Sequence, residues 1–128
     1  MCILSEKSQQ LKDELLNLID RDAESFNLVI EAYKLPKKTI KEIKIRNSSI
    51  DRSLKKATSI PFQTLTCCRR LMDISLEAVL EGNPKSISDA AVSGEMAHAG
   101  AHGAALNIFI NLKDICDQKY CNDMNKKT

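Results

Sequence analysis

Ser86-Ile87-Ser88-Asp89-Ala90-Ala91-Val92-Ser93-Gly94-Glu95-Met96-Ala97-His98-Ala99-Gly100-Ala101-His102-Gly103-Ala104-Ala105-Leu106-Asn107-Ile108-Phe109-Ile110-Asn111-Leu112 is dense in alanine and glycine and poor in charge. Gly82-Asn83-Pro84 stands just before it. This triplet supplies a helix-terminating glycine and a proline that cannot extend a preceding helix, so a new helix starts near Ser86. Glycine inside a helix costs roughly 1 kcal/mol relative to alanine. Gly94, Gly100 and Gly103 therefore imply that another backbone comes close.

At about 100° per residue, Asp89, Ser93, Met96, Gly100, Gly103 and Asn107 share one face, with Asn111 slightly off it. That face offers a carboxylate, two amides and little bulk, a floor on which a flat ligand can lie. Asp89 has a plainer reading as well. Ser86 followed three residues later by Asp89 has the spacing of a capping box.

Working outward, 128 residues support one domain, taken as 1–128, with a modest core. Aromatics make up 4% of the chain and tryptophan is absent, so the core must come from Leu, Ile, Val and Ala, which suits packed helices. The expected fold class is all-α, a multi-helix bundle of long amphipathic helices. A formal charge of +2 implies no general polyanion partner. The five cysteines, Cys2, Cys67, Cys68, Cys116 and Cys121, are odd in number and lack zinc-type spacing, which fits a reducing, cytoplasmic setting. The apolar run within Met1–Lys7 is too short for a signal peptide, and no segment has the length and apolarity of a bilayer span.

Ser5 is placed to cap a first helix whose stripe runs Leu4, Leu11, Leu15, Leu18, Asp22, Phe26, Val29, Tyr33. Asp22 occupies an apolar position. It is either partnered in the interior, set against a cavity, or at the edge of a narrow stripe. Leu35-Pro36 ends this helix. A second helix follows, with Ile40, Ile43, Asn47, Ile50, Leu54 and Ala57 inward. Pro61 either opens a third helix at its first position or kinks one continuous helix. Phe62–Leu80 reads as largely buried, with Cys67 and Cys68 as small apolar residues and not nucleophiles. After Leu112 a last helical turn or short helix is expected, and Asn122–Thr128 reads as a frayed tail.

Nine basic residues between Lys34 and Lys56 form a solvated face or attract an anionic ligand tail. No aromatic interleaving or nucleic-acid motif accompanies them, so no nucleic-acid partner is expected. Glu95, His98 and His102 have helical metal-site spacing, yet they lie opposite Asp89 without further ligands and are read as a solvated or interface face, with no metal.

Gly82-Asn83-Pro84, Ser88-Asp89-Ala90, Gly103-Ala104, Leu106-Asn107 and Ile110-Asn111-Leu112 together resemble the cyclodeaminase/cyclohydrolase family of folate enzymes. Asp20-Arg21-Asp22-Ala23-Glu24-Ser25-Phe26, with Ala32-Tyr33-Lys34-Leu35-Pro36-Lys37, resembles the same family independently. The resemblance implies an all-helical, dimeric protein acting on a one-carbon tetrahydrofolate as substrate, without a further cofactor. It implies formiminotetrahydrofolate cyclodeaminase activity or, alternatively, methenyltetrahydrofolate cyclohydrolase activity. Asp89 becomes the first candidate acid/base and Asp22 the second, while Lys37, Ser88, Asn107 and Asn111 become candidates for binding substrate.

Asn107 lies roughly 27 Å from Asp89 along one helix. Their cooperation would therefore need a symmetric antiparallel partner and a site composed from two chains. Members of this family also carry an amino-terminal portion with a Pro-Gly-Gly-Gly-Ser turn opening an Ala/Gly-rich helix. No such turn occurs in these 128 residues. The chain is thus expected to be amino-terminally incomplete relative to the family, and a non-catalytic helical dimer or folate-binding remnant stands as a further alternative.

Overall fold

The computed structural model describes residues 2–128; Met1, which opens the Met1–Lys7 stretch, and the side chain of Cys2 lie outside the described residues. Four α-helices follow one another: α1 (Cys2–Lys34), α2 (Ile40–Glu81), α3 (Ile87–Leu112) and α4 (Gln118–Lys127), with one 3-10 turn, Pro84–Ser86, before α3. No strand occurs among the described residues. The all-α expectation is met.

Helix α2 is the spine, and α1 and α3 each pack along it rather than against each other. Its start is a complete capping box. Thr39 Oγ1 accepts the Glu42 N–H at 3.2 Å, and Glu42 Oε2 accepts the N–H of Thr39 at 3.0 Å and of Lys38 at 2.8 Å. Pro61 lies inside this single helix of 42 residues. Of the two readings of Pro61, one continuous helix is the one observed. Gly82 closes α2 by donating its N–H to the Ala78 carbonyl. A Cβ at Gly82 would be driven into that same carbonyl oxygen, which is why glycine is required there.

Two apolar clusters fill the interior. One joins Val29 and Ala32 of α1, Ile50, Leu54 and Ala57 of α2, Ile108 and Leu112 of α3, and Ile115, Cys121 and Met124 beyond. The other joins Leu11 and Leu18 to Ile60 and Cys67. Several expected inward positions are instead exposed, among them Phe26, Tyr33, Ile40, Ile43 and Asn47. Ser25 takes the place of Phe26 in the interior, its hydroxyl satisfied by donating to the Asp22 carbonyl at 2.9 Å.

Three local expectations are corrected. Ser5 lies inside α1 and does not cap it, because the helix already runs from Cys2. Ser86 makes no side-chain cap bond. It closes the 3-10 turn with ψ of 11°, outside the extended geometry a capping hydroxyl needs, so the Ser86–Asp89 capping box does not form. Asn122–Thr128 is no frayed tail. Asn122 to Lys127 belong to α4 and Thr128 closes it, the helix being capped by Asp117, whose carboxylate accepts the Tyr120 N–H at 3.0 Å, and anchored by buried Cys121 and Met124. Lys55 bridges Asp51 and Asp117 at 3.0 and 2.9 Å, and Asp51 accepts the Cys116 N–H. Tyr120 donates its hydroxyl to the Lys55 carbonyl. Together these groups tie α4 to the spine.

Candidate functional site

Because α1 and α3 both lean on α2, a trough runs between them. One section, about 330 Å³, is lined by Asp22, Phe26 and Tyr33 of α1, Pro61 of α2, and Asn107 and Asn111 of α3. The adjoining section, about 520 Å³, is lined by Ile19 and Asp22, Pro61 and Cys68, and Gly103 and Asn107. Asp22, Pro61 and Asn107 belong to both, so they mark the waist of one continuous trough. Volumes of this order suit a small-molecule site.

The sequence explains this placement. Asp22 and Tyr33 fall on the edge of the α1 stripe nearest α3, while Leu18 and Val29 take the buried middle. Asp22 is exposed to the trough, which resolves its three readings into cavity-facing and edge together. On α3, Ala104, Ile108 and Leu112 are buried against the spine, which leaves Asn107 and Asn111 at the trough wall. Gly100 is the one close approach among these glycines. A Cβ there would lie 3.0 Å from Cys68 Sγ, whereas Gly103 has nothing within 4 Å. The expected approach of another backbone is therefore not found at any of the three: Gly100 meets a side-chain sulfur, Gly94 the Ser75 Cβ at an ordinary 3.5 Å, and Gly103 open space.

Of the predicted site residues, the structure brings together Asp22, Asn107 and Asn111. Ser88 and Asp89 are exposed on the first turn of α3 and line neither section. Lys37 is exposed in the α1–α2 connection, beyond the Tyr33 end of the trough. Arg46 of α2 anchors that end. Its guanidinium donates to the Tyr33 carbonyl at 3.2 Å and lies over the Tyr33 ring at 5.5 Å. Tyr33, Phe26 and Pro61 are lining residues that sequence reasoning did not single out as site residues. Following the Asp22 stripe along α1 would have found the first two.

A larger groove, about 650 Å³, opens between α1 and α2 away from α3 and contains none of the predicted residues. Its polar groups pair with one another: Arg70 with Glu14 at 3.0 Å, Cys67 Sγ donating to Glu14 at 3.3 Å, and Arg21 to Gln63 at 2.9 Å. In the trough, by contrast, no side-chain pairing of this kind ties up Asp22, Asn107 or Asn111 among the described residues. Burial, reinforced by Glu14, pushes the Cys67 thiol up to about 11, and burial also raises Cys68. Neither is an activated thiolate.

His98 and His102 are exposed, with ring centroids 4.3 Å apart. Among the described residues no group of three His, Cys, Asp or Glu side chains is placed to hold a metal ion. Nor is any helix of the described residues long and apolar enough to cross a membrane.

A family profile described as formiminotransferase-cyclodeaminase matches residues 1–128. The chain is 37% identical over 122 residues to a methenyltetrahydrofolate cyclohydrolase of Methylorubrum extorquens, covering 95% of this chain and 59% of that protein. It is 35% identical over 111 residues to the formimidoyltransferase-cyclodeaminase of Gallus gallus, covering 87% of this chain and 20% of that one. The crystal structure of a formiminotetrahydrofolate cyclodeaminase from Thermotoga maritima superposes with a TM-score of 0.81 at 25% identity, over 95% of this chain and 57% of that chain. The chain thus spans somewhat over half of the shorter relatives and a fifth of the longer one. With the profile match running its whole length, the chain belongs to the formiminotransferase-cyclodeaminase family.

Proposed function

We propose that the chain serves one-carbon folate chemistry as a formiminotetrahydrofolate cyclodeaminase. The observation that carries this reading is the meeting of Asp22 with Asn107 and Asn111 across the α1–α3 trough in a chain of this family. Two amides one turn apart suit the alternating donors and acceptors of a pterin edge. Tyr33 and Phe26 supply apolar ring surface beside them.

In the reaction, N10 attacks the formimino carbon attached to N5. The new C–N10 bond forms as the C=N electron pair moves to the imino nitrogen, giving a tetrahedral carbon held by three nitrogens. The N10 proton is transferred to the imino nitrogen. A further proton converts that amine to a leaving ammonia, which departs with its bonding pair and leaves the 5,10-methenyl cation. Two proton movements at one carbon call for a carboxyl group beside it. Asp22 is the carboxylate at the waist of the trough, lining both sections where Asp114 lines one, and Asp89 enters only from a second chain in a composite dimeric site. Lys37, beyond the Tyr33 end, and Ser88, beside Asp89, take substrate-binding roles at the periphery, Lys37 toward substrate carboxylates. The substrate is the tetrahydrofolate derivative itself, with no added cofactor. Four free thiols, Cys67, Cys68, Cys116 and Cys121, support a cytoplasmic setting.

A second reading, methenyltetrahydrofolate cyclohydrolase, is favoured by the 37% identity to the Methylorubrum protein. The test is direct. Purified chain is mixed with 5-formiminotetrahydrofolate, and the methenyl absorbance and released ammonia are followed together. Matched growth of both supports the cyclodeaminase. Decay of added methenyltetrahydrofolate faster than the buffer rate, without the first reaction, supports the cyclohydrolase. No turnover of either substrate overturns both and leaves the non-catalytic remnant.

A further inference from the structure

His98 and His102 are the two histidines of the chain, and they stand one turn apart on α3 with ring centroids 4.3 Å apart and planes inclined at 53°. Both are exposed, and no hydrogen bond or ion pair occupies either ring among the described residues. A neutral imidazole keeps one nitrogen with a free lone pair. Two uncommitted nitrogen donors therefore face solvent side by side.

Their spacing is that of a chelate. Two nitrogens held about 2.1 Å from one ion lie roughly 3 Å from each other, and rings centred 4.3 Å apart reach that separation by turning about their own side-chain bonds. The backbone beneath them is held, because neighbouring Ala97 and Ala104 are buried and α3 packs along the spine. Ala99, Ala101 and Ala105, beside the pair, are small, which leaves room for a hydrated ion. Glu95, exposed one turn before His98, adds a negative charge on the same side of the helix.

We propose that His98 and His102 together bind one nitrogen-preferring divalent ion, of the class of zinc, nickel or copper. Magnesium and calcium are refused, since both require oxygen donors. No group of three His, Cys, Asp or Glu side chains among the described residues is placed to hold an ion, so the chain fills two coordination positions and water fills the rest. That makes an open, exchangeable site, unlike a closed structural zinc centre with four protein ligands. Neither histidine lines the trough, so the site is independent of Asp22 and of the proposed function. The two donors are brought together only in the helical chain. A bound ion therefore clips this turn of α3 and favours the folded state.

Calorimetric titration of the full chain near pH 7.5, above the roughly 6.5 at which an imidazole ordinarily titrates, tests the site. A Cys2→Ser, Cys116→Ser background removes Cys2 and the exposed thiol of Cys116 as competing ligands. One nickel or zinc ion per chain should bind at micromolar concentration, magnesium should give no heat, and saturating zinc should raise the melting temperature by a few degrees. His98→Gln and His102→Gln should each weaken binding at least tenfold, because one donor no longer holds the ion for the other. A control keeps two histidines but separates them: His102→Ala with Leu106→His sets them eight residues, roughly 12 Å, apart on α3. It should bind no better than the single-histidine variants. Binding weaker than millimolar, binding that survives both glutamine substitutions, or full affinity in the separated control would each overturn the proposal. Should a variant fail to fold, nuclear magnetic resonance of the unsubstituted histidines decides. Both imidazole signals should move together and saturate at one equivalent of zinc, and movement of neither or of one alone would overturn the chelate.

Discussion

Asp22 of α1 and Asn107 of α3 face the same trough from opposite walls, and both reach into each of its two sections. The helices that carry them pack chiefly along α2, so this pairing is a product of the fold and not of local sequence. Asp22→Asn keeps the shape and removes the proton acceptor. We expect turnover to fall about 10²- to 10⁴-fold with unchanged circular dichroism. Asn107→Ala should raise KM more than it lowers kcat, since an amide that orients the ligand acts on binding. Steady-state kinetics of the two variants side by side checks both.

Gly100 gains about 1 kcal/mol of helix propensity if replaced by alanine, but the new methyl carbon meets buried Cys68 Sγ at 3.0 Å. The contact should win, so Gly100→Ala lowers stability by about 1 kcal/mol. In a Cys68→Ala background the same change should become stabilising. Chemical denaturation of the four proteins in a double-mutant cycle reads the coupling directly. Additive effects would place the steric conflict elsewhere.

Pro61 cannot donate to the Ala57 carbonyl one turn back, a loss of about 3 kcal/mol for a proline in a helix interior. Its ring is buried and forms the floor of both trough sections. Pro61→Ala should raise stability by about 1–2 kcal/mol, once the lost ring contacts are subtracted. It should lower kcat/KM at the same time, because the floor is reshaped. Thermal melts and kinetics moving in opposite directions would identify the proline as retained for the site.

The Cys67 thiol is held protonated up to about 11, against an ordinary value of 9.0, by burial and by the Glu14 carboxylate that accepts its proton. The sign follows from the neutral form being the folded one. The unfolded chain ionises first, so stability is lost as pH rises from 9.0 toward 11. In a Cys2→Ser background one thiol, that of exposed Cys116, should react quickly with a thiol reagent at pH 8, while Cys67, Cys68 and Cys121 respond only on unfolding. Fast reaction of three or more thiols in the native protein would contradict the burial.

The long helices were legible because their apolar spacing, Leu35-Pro36 and Gly82-Asn83-Pro84 are strong local signals. The extent of helix α4 past Asn122 was not, since Cys121 and Met124 are its only buried residues and the rest is polar. Asp117 three residues before the Tyr120 amide was the capping signal that would have revealed it. Continuity through Pro61 depends on α1 and α3 both packing along α2, which no local rule contains. In the site, Asp22 was visible as a charge in an apolar stripe, and Asn107 with Asn111 as a pair one turn apart. Their meeting was not visible, because it joins different helices. The Ser86–Asp89 spacing suggested a cap, but the preceding proline turn tightens the chain into a 3-10 geometry that turns the hydroxyl away from that role.

The 42-residue spine runs roughly 63 Å at 1.5 Å per residue. With both walls of the trough seated on it and scarcely on each other, their spacing is set by how each rolls about that shared axle. Such a mouth can breathe by small rotations that leave every helix intact and no backbone hydrogen bond broken. A guest gripping Asp22 on one side and Asn107 on the other would act as the missing crossbar, converting two loosely related levers into a single stiff frame.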